Sequence, residues 1–431
     1  MSPTRLSLVI FASVLPLVAL VGCGDHEEQP TGGGGGTAGN GGSGGAASKA
    51  PTYYEDIAPI MNTHCANCHI ESGIAPFALT TYESAKAVAG LAKLRTETRE
   101  MPPWNPSNTG DCNTYENARW LTDDQIALIG AWADAGAPEG DPQNAPPEPE
   151  APKGLAKVDL TVDIGFDYSP DDSLADEYRC FVVDPGLAQD AFVTGYEVVP
   201  GDKRVVHHVI LYTAETPEGD AQADANDAAD PGPGYECFGG AGIGNARWTV
   251  GWAPGGGAQM YPETTGLRLK AGRKGVIQVH YNTANGSYPD KTKIHLTLAE
   301  QVENEAQIFY TGTNDINLPP GQADAAAKGV INIPANVGKF RVWATLPHMH
   351  TRGKTLKVNY NLNGADTCLV DVPNWNFHWQ GVAIYDQPVA SEGGGTITIR
   401  CGYDTTKDME EIFNGEGTDE EMCINYLYVS K

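Results

Sequence analysis

Five of the ten histidines in this 431-residue chain fall into three compact groups: His207-His208, His280 and His348-Met349-His350. Neutral imidazole suits copper, and a nearby thioether favours Cu(I). Each group lies in a short alternating run that reads as a strand. Residues two apart on a strand share a face, so His348 and His350 can reach one ion together. Adjacent residues face opposite ways. His207 and His208 can therefore share a metal only at a twisted strand end, or by using different ring nitrogens. Taken alone, His280 reads first as a packing residue. No acid stands beside these groups in the manner of H-E-x-x-H, which argues against zinc hydrolysis.

A second constellation is Cys65-Ala66-Asn67-Cys68-His69. C-x-x-C-H is the c-type haem attachment signal, with two thiols for the vinyl groups and an imidazole for iron. A redox pair or half of a zinc site would not need His69, and would want a second cysteine pair or a βαβ pattern nearby. Helical patterns flank the motif: Tyr54, Ile57, Ala58 and Met61 before it, and Thr122 to Ala135 after it. The later helix has a capping box, Thr122 with Gln125, acidic Asp123 and Asp124 in its first turn, and Gly136 as its stop. Two such helices around this motif resemble a class I cytochrome c. The resemblance implies one covalent haem c held by Cys65, Cys68 and His69, with Met101 of Met101-Pro102-Pro103-Trp104 as sixth ligand. Met61 and His64 are rivals for that role, but both precede the motif closely. His/Met ligation raises the haem potential and gives a one-electron carrier, not an oxygen activator.

These groups must be positioned by several domains, since roughly 150 residues per domain suggests about three. Arg5 followed by the apolar run Leu6 to Val21 is too short to span a membrane and suits a signal-peptide core. It ends in Leu20-Val21-Gly22-Cys23, which resembles a bacterial lipobox with Cys23 as the acylated residue. Residues 24–50 read as a Gly-rich tether, 51–140 as the haem domain, and 141–156 as a proline-rich linker. From 157 onward the texture becomes short alternating strands punctuated by Gly, Pro, Asn and Asp, which means antiparallel sandwiches or barrels. That length exceeds one sandwich, so it divides near Glu300 into 157–300 and 301–431. The expected architecture is multidomain: a small all-α cytochrome c domain followed by two antiparallel β-sandwiches. It would be anchored by lipid to the bacterial cell envelope, where disulfides are allowed. A formal net charge of -27 argues against nucleic acid or an anionic lipid surface as partner.

The three histidine motifs, in order and followed by Asp419-Glu420-Glu421-Met422-Cys423, resemble the copper type II, ascorbate-dependent monooxygenases. The resemblance covers roughly Val158 to Lys431. It implies two jelly-roll sandwich domains with one copper each across a solvent-filled cleft. His207, His208 and His280 would hold the electron-supplying copper. His348, His350 and Met422 would hold the one at which O₂ binds and a substrate C–H bond is attacked. It also implies the disulfides Cys180–Cys237 and Cys401–Cys423. Cys112 and Cys368 remain, as free thiols or as a bridge from the haem domain to the copper domains. A blue-copper site with Cys423 as thiolate lacks the His and Met that usually follow it.

Family enzymes take their electrons singly from ascorbate, and here a fused haem would fill that role. The tether would raise the donor's effective concentration to about millimolar, whatever soluble or membrane electron donor recharges it. The peptide-processing relatives bind a carboxylate with an arginine two positions before the H-x-H motif, which is Leu346 here. Their asparagine two positions after the ligand methionine is Ile424, whereas their tyrosine four after it is kept as Tyr426. Losing a cation and an amide removes the charge-assisted hydrogen bonds a carboxylate needs. A small neutral or apolar substrate is therefore expected. Trp343, Trp375 and Trp379 are candidates for its pocket, although large aromatics in sandwiches more often fill the core. The competing function is a non-catalytic haem and copper lipoprotein that relays electrons or buffers copper.

Overall fold

The computed structural model describes residues 49–431 apart from 72, 74, 148–153, 238, 255, 263, 285, 416 and 418. The expected signal segment, Cys23, the tether up to residue 48, and Pro149 and Pro152 of the linker lie outside the described residues. No described helix is long and apolar enough to cross a membrane.

A π-helical turn, Tyr53–Ile57, runs straight into α1 (Ala58–His64), which puts Tyr53, Ile57, Ala58 and Met61 on one buried stripe. Two helices without a clear apolar pattern follow, α2 (Tyr82–Ala87) and α3 (Ala89–Glu97). The last, α4 (Asp123–Asp134), begins at the capping box: Thr122 Oγ1 accepts from the Gln125 N–H at 3.2 Å, and Gln125 Oε1 accepts from the Thr122 N–H at 2.9 Å. Gly136, at φ 83°, lets the chain leave the helix. Ile129 and Trp132 of α4 pack on Tyr53, Ile57, Met61 and Leu79 as the core of this helical module.

The next stretch contains β1 (Leu160–Asp163), β2 (Asp176–Val183), β3 (Ala191–Val199), β4 (Val206–Ala214), α5 (Pro217–Ala229), β5 (Tyr235–Glu236), β6 (Ala246–Trp252), β7 (Gln259–Met260), β8 (Thr265–Leu269), β9 (Gly275–Asn282) and β10 (Lys293–Ala299). The last stretch contains β11 (Asn304–Thr313), β12 (Asn317–Leu318), β13 (Ala325–Asn332), β14 (Phe340–His348), β15 (Gly353–Leu362), β16 (Ala365–Val372), β17 (Ala383–Ser391), β18 (Thr396–Tyr403), β19 (Ile412–Phe413) and β20 (Cys423–Ser430). One sheet of nine strands runs through both stretches in the order β1-β10-β3-β8-β11-β20-β14-β17, with β7 added to β3. A five-stranded sheet, β5-β2-β9-β4-β6, supplies the second layer of the first sandwich, and a four-stranded sheet, β13-β18-β15-β16, that of the second. Separate cores fill the two, one around Phe181, Leu211, Ile277 and Tyr281, the other around Leu356, Val358, Ile399 and Tyr403.

The purely antiparallel expectation fails at one pairing. β11 lies parallel to β8, with Asn304 beside Thr265 and Ala306 beside Leu267, and this pair is the seam between the sandwiches. The chain turns between β10 and β11 near residue 300, yet the hydrogen-bonded ladder continues across that point.

The segment after Pro103 leaves the helical module and lies on the second sandwich. Tyr115 bridges Tyr385, stacks on it with ring centres 5.4 Å apart, and is buried in that sandwich's core. Asn117 Nδ2 donates to Val382 O at 2.7 Å, and Asn113 Nδ2 donates to Leu369 O at 2.9 Å. Cys112 and Cys368 form a disulfide, so of the two alternatives left open by the sequence the bridge is the one present.

Candidate functional site

His207 and His208 stand at the start of β4, and His208 pairs with His280 on β9. The register shifts between Val206 and His208, so a bulge at His207 turns two consecutive side chains toward one partner. That device was not apparent from strand alternation. Nδ1 of His280 lies 3.0 Å from Nδ1 of His207 and 3.2 Å from Nδ1 of His208. Three nitrogens each about 2 Å from one metal, as imidazole ligands are, would stand on the order of 3 Å apart. The cluster therefore has the spacing of a ligand set, and the three imidazoles form a group able to hold a metal ion.

The electrostatics agree with ligand duty. Burial, then the neighbouring imidazoles, lowers the His207 pKa to about 3 and holds His208 well below its ordinary value. Burial also lowers His280, against the pull of Asp176. All three stay neutral at pH 7, with lone pairs available. Asp176 Oδ1 lies 2.8 Å from His280 Nε2 and accepts from its N–H, which directs the His280 Nδ1 lone pair at the other two rings. Tyr178 stacks flat on His280, with centroids 4.1 Å apart and planes 7° apart. Nothing in the spacing of Asp176 or Tyr178 along the chain marks them for these roles.

The second group ends β14. The rings of His348 and His350 are 5.2 Å apart and nearly perpendicular, while Met349 between them is buried in the core. His348 Nδ1 is bonded to the side-chain amide oxygen of Gln380, and His350 Nδ1 lies 3.2 Å from the carbonyl of Glu420. His348 Nε2 has no hydrogen-bond partner among the described residues. Burial lowers His348 to about 4 and lowers His350 as well.

Met422 immediately precedes β20, whose Ile424 pairs with His348. The intervening backbone is fixed by the fully buried Glu421 carboxylate, which accepts from the N–H groups of Arg352 at 2.7 Å, His350 at 3.0 Å and Met422 at 3.2 Å. Burial pushes Glu421 up to about 7 in spite of those donors. Tyr403 OH donates to Met422 O at 3.0 Å, and the Cys401–Cys423 disulfide ties β20 to β18. The Cys180–Cys237 disulfide secures β2 in the first sandwich. Gln380 and Glu421 are further residues of this site that sequence reading did not single out.

Leu346 and Tyr426 line a pocket between the sandwiches, together with Tyr196, Trp248, Tyr261 and Tyr428. On β14 and β20 the positions Leu346 and Tyr426 alternate onto the same face as His348 and Ile424. Among the described residues, no Asp, Glu, Lys or Arg lines the pocket. The hydroxyls of Tyr196 and Tyr261 donate to the backbone carbonyls of Gly251 and Thr249, and that of Tyr428 bonds Thr265, so these residues offer the pocket their ring faces. Trp343, Trp375 and Trp379 do not line it. Trp375 is in the core with Nε1 donating to His350 O, Trp343 donates to Ser430, and Trp379 sits in the turn before Gln380. Trp248 supplies the pocket's indole instead.

In the helical module Cys65 and Cys68 are unpaired, whereas the other six described cysteines form disulfides. Burial pushes Cys65 up to about 12, which makes it a poor thiolate. His69 Nδ1 lies 2.9 Å from Phe77 O, so its Nε2 is the free nitrogen. Met101 lines a cleft with Trp104 and Arg119. The Arg119 charge reaches Cys68, its own pKa is lowered by burial, and no carboxylate pairs with it among the described residues. Trp104 Nε1 is buried without a hydrogen-bond partner. Arg119 is thus a cationic group within electrostatic reach of Cys68, which suits an anionic prosthetic group. Of the rivals, Met61 is buried in the module's core and His64 Nε2 lies 3.3 Å from Gln125 Nε2.

Residues 304–429 match the family model for the copper type II ascorbate-dependent monooxygenase, C-terminal domain. The chain is similar to tyramine beta-hydroxylase of Caenorhabditis briggsae, 24% identical over 251 residues that cover 54% of this chain and 40% of that protein. It is similar to DBH-like monooxygenase protein 1 of Gallus gallus, 22% identical over 248 residues covering 52% and 39%. Dopamine beta-hydroxylase of Canis lupus familiaris is 25% identical over 197 residues covering 41% and 31%. The chain therefore spans two-fifths or less of the length of these relatives. These matches support kinship with the copper type II monooxygenases.

Proposed function

We propose that the chain is a copper monooxygenase that hydroxylates a C–H bond of a small neutral or apolar substrate with O₂, supplied with electrons by a haem carried in residues 51–140. The observation that carries this reading is the largely aromatic and aliphatic pocket, which shares a face of β14 and β20 with His348. Bound copper would supply an electron store at His207, His208 and His280, and O₂ chemistry at His348, His350 and Met422.

The protein's own part is positioning. Asp176, Gln380 and the Glu420 carbonyl each bind the imidazole nitrogen that points away from the ligand position, so the ligating edges face inward. Ring faces of Tyr196, Tyr261, Trp248 and Tyr428 exclude water and receive an apolar or aromatic molecule. With no carboxylate or cation among the described residues of the pocket wall, none of those residues fixes an ammonium or a carboxylate by charge. Cys65, Cys68, His69 and Met101 would hold the haem, with the Arg119 cation near Cys68 to balance its negative charge. We read residues 1–23 as a lipoprotein signal with Cys23 as the anchored residue, placing the enzyme on the cell envelope.

The test is to load the full chain with copper and reduce it. Reoxidation of the haem by O₂ is then followed in wild type and His348→Ala, while small apolar compounds are screened for incorporation of labelled oxygen. Fast reoxidation in wild type, slow reoxidation in His348→Ala and labelled product are expected. Equal reoxidation in both proteins with no labelled product would overturn the enzyme in favour of an electron relay.

A further inference from the structure

One short segment of the second sandwich reaches both histidine groups. Residues 376–380 carry Phe377, whose ring lies 6.0 Å from that of His350, and Gln380, whose amide oxygen binds His348. Between them His378 faces the first sandwich. Its ring is 6.3 Å from that of His207 and nearly perpendicular to it, at 87°. Within the three-histidine cluster itself the rings of His207 and His208 are 6.0 Å apart. His378 therefore stands almost as near to His207 as His208 does, just outside the group of three whose nitrogens all lie within 4.8 Å of one another. Its imidazole has no hydrogen-bond partner among the described residues.

The segment is held from a third direction. Asn105 Oδ1 accepts from the Asn376 N–H at 2.9 Å, and Asn105 Nδ2 donates to Asn376 O and Trp379 O, both at 3.1 Å. Asn376 Oδ1 in turn accepts from the His378 N–H at 3.0 Å. Asn105 is buried and directly follows Trp104 of the Met101 cleft. Its three bonds fix the turn from which the His378 ring projects.

We propose that His378 is a fourth imidazole of the copper centre formed by His207, His208 and His280, carried to it by the Asn105-clamped turn of the second sandwich. The proposal rests on the copper reading above, so its test must separate the two. The full chain is labelled with ¹⁵N-histidine, loaded with Cu(II) in a His350→Ala background that leaves the three-histidine centre dominant, and examined by pulsed electron paramagnetic resonance. Replacing His378 by Ala, at an exposed position where folding is not at stake, should remove one imidazole coupling, and free imidazole should restore it. Asn105→Ala should weaken the same coupling. A spectrum unchanged in His378→Ala would overturn this proposal alone. A parent protein that takes up no copper at His207, His208 and His280 would overturn both readings.

Discussion

Asp176 Oδ1 lies 2.8 Å from His280 Nε2, on the edge of the ring opposite the one that meets His207 and His208. Replacing Asp176 by Ala frees the ring to flip and removes the partner that fixes its tautomer. Loss of such an outer partner typically weakens metal binding about 10–100-fold. Copper titration of the variant should show that loss at the three-histidine centre, with His348 and His350 unaffected. Equal affinity in variant and wild type would show that the carboxylate does not orient a ligand.

Leu346 lines the pocket at the position where the peptide-processing relatives place an arginine. Leu346→Arg puts an unpaired cation against Tyr196, Trp248 and Tyr428. A buried charge without a partner costs about 3–5 kcal/mol, enough to lower turnover of an apolar compound by about 100-fold or more. Copper content should stay at the wild-type level, because neither Leu346 nor its strand partner Tyr426 belongs to a ligand set. Product assays beside metal analysis will decide this, and undiminished turnover would place the substrate elsewhere.

The Cys112–Cys368 bridge joins the segment that follows the helical module to the second sandwich across a sequence separation of 256 residues. Replacing both cysteines by Ser should lower stability by about 2–5 kcal/mol. Asn105, Asn113 and Asn117 keep their backbone bonds, so the segment should remain docked. Denaturant unfolding gives the energy. Limited proteolysis of residues 105–118 tests the docking, which fails if the segment is cut at wild-type-stable conditions.

Arg179 holds Asp230 at a pKa of about 2, through a side-chain bond reinforced by the Gly232 N–H. A carboxylate whose pKa is lower when folded stabilises the fold above its unfolded value near 3.8, and that stabilisation is lost as pH falls to about 2. Asp230→Asn should flatten the acid limb of the stability curve between those values and lower stability at pH 7. Thermal melts across that pH range will show whether the slope changes.

The histidine strands and the α4 capping box were legible because each depends on local spacing or motif, whereas the two sandwich disulfides followed only from the family resemblance. The bulge at His207 was not, since alternation implies that neighbours diverge and only the paired β9 reveals the slip. Asp176, Gln380 and Glu421 were hidden for another reason: each lies far along the chain from the imidazole or backbone it serves. Trp375 and Trp343 were legible only as core or pocket in general, because apolar burial alone does not say which. The short α2 and α3 escaped notice because Leu91 and Leu94 face solvent and leave no stripe.

The parallel union of β8 and β11 gives both metal-binding halves a common floor. Changing the interval between them would mean shearing backbone N–H to carbonyl links, not merely rotating a free joint. The spacing between the two histidine groups, and the width of the pocket between the sandwiches, are thereby set in the main chain. Mutations that alter either are best sought along that floor as well as among the ligands.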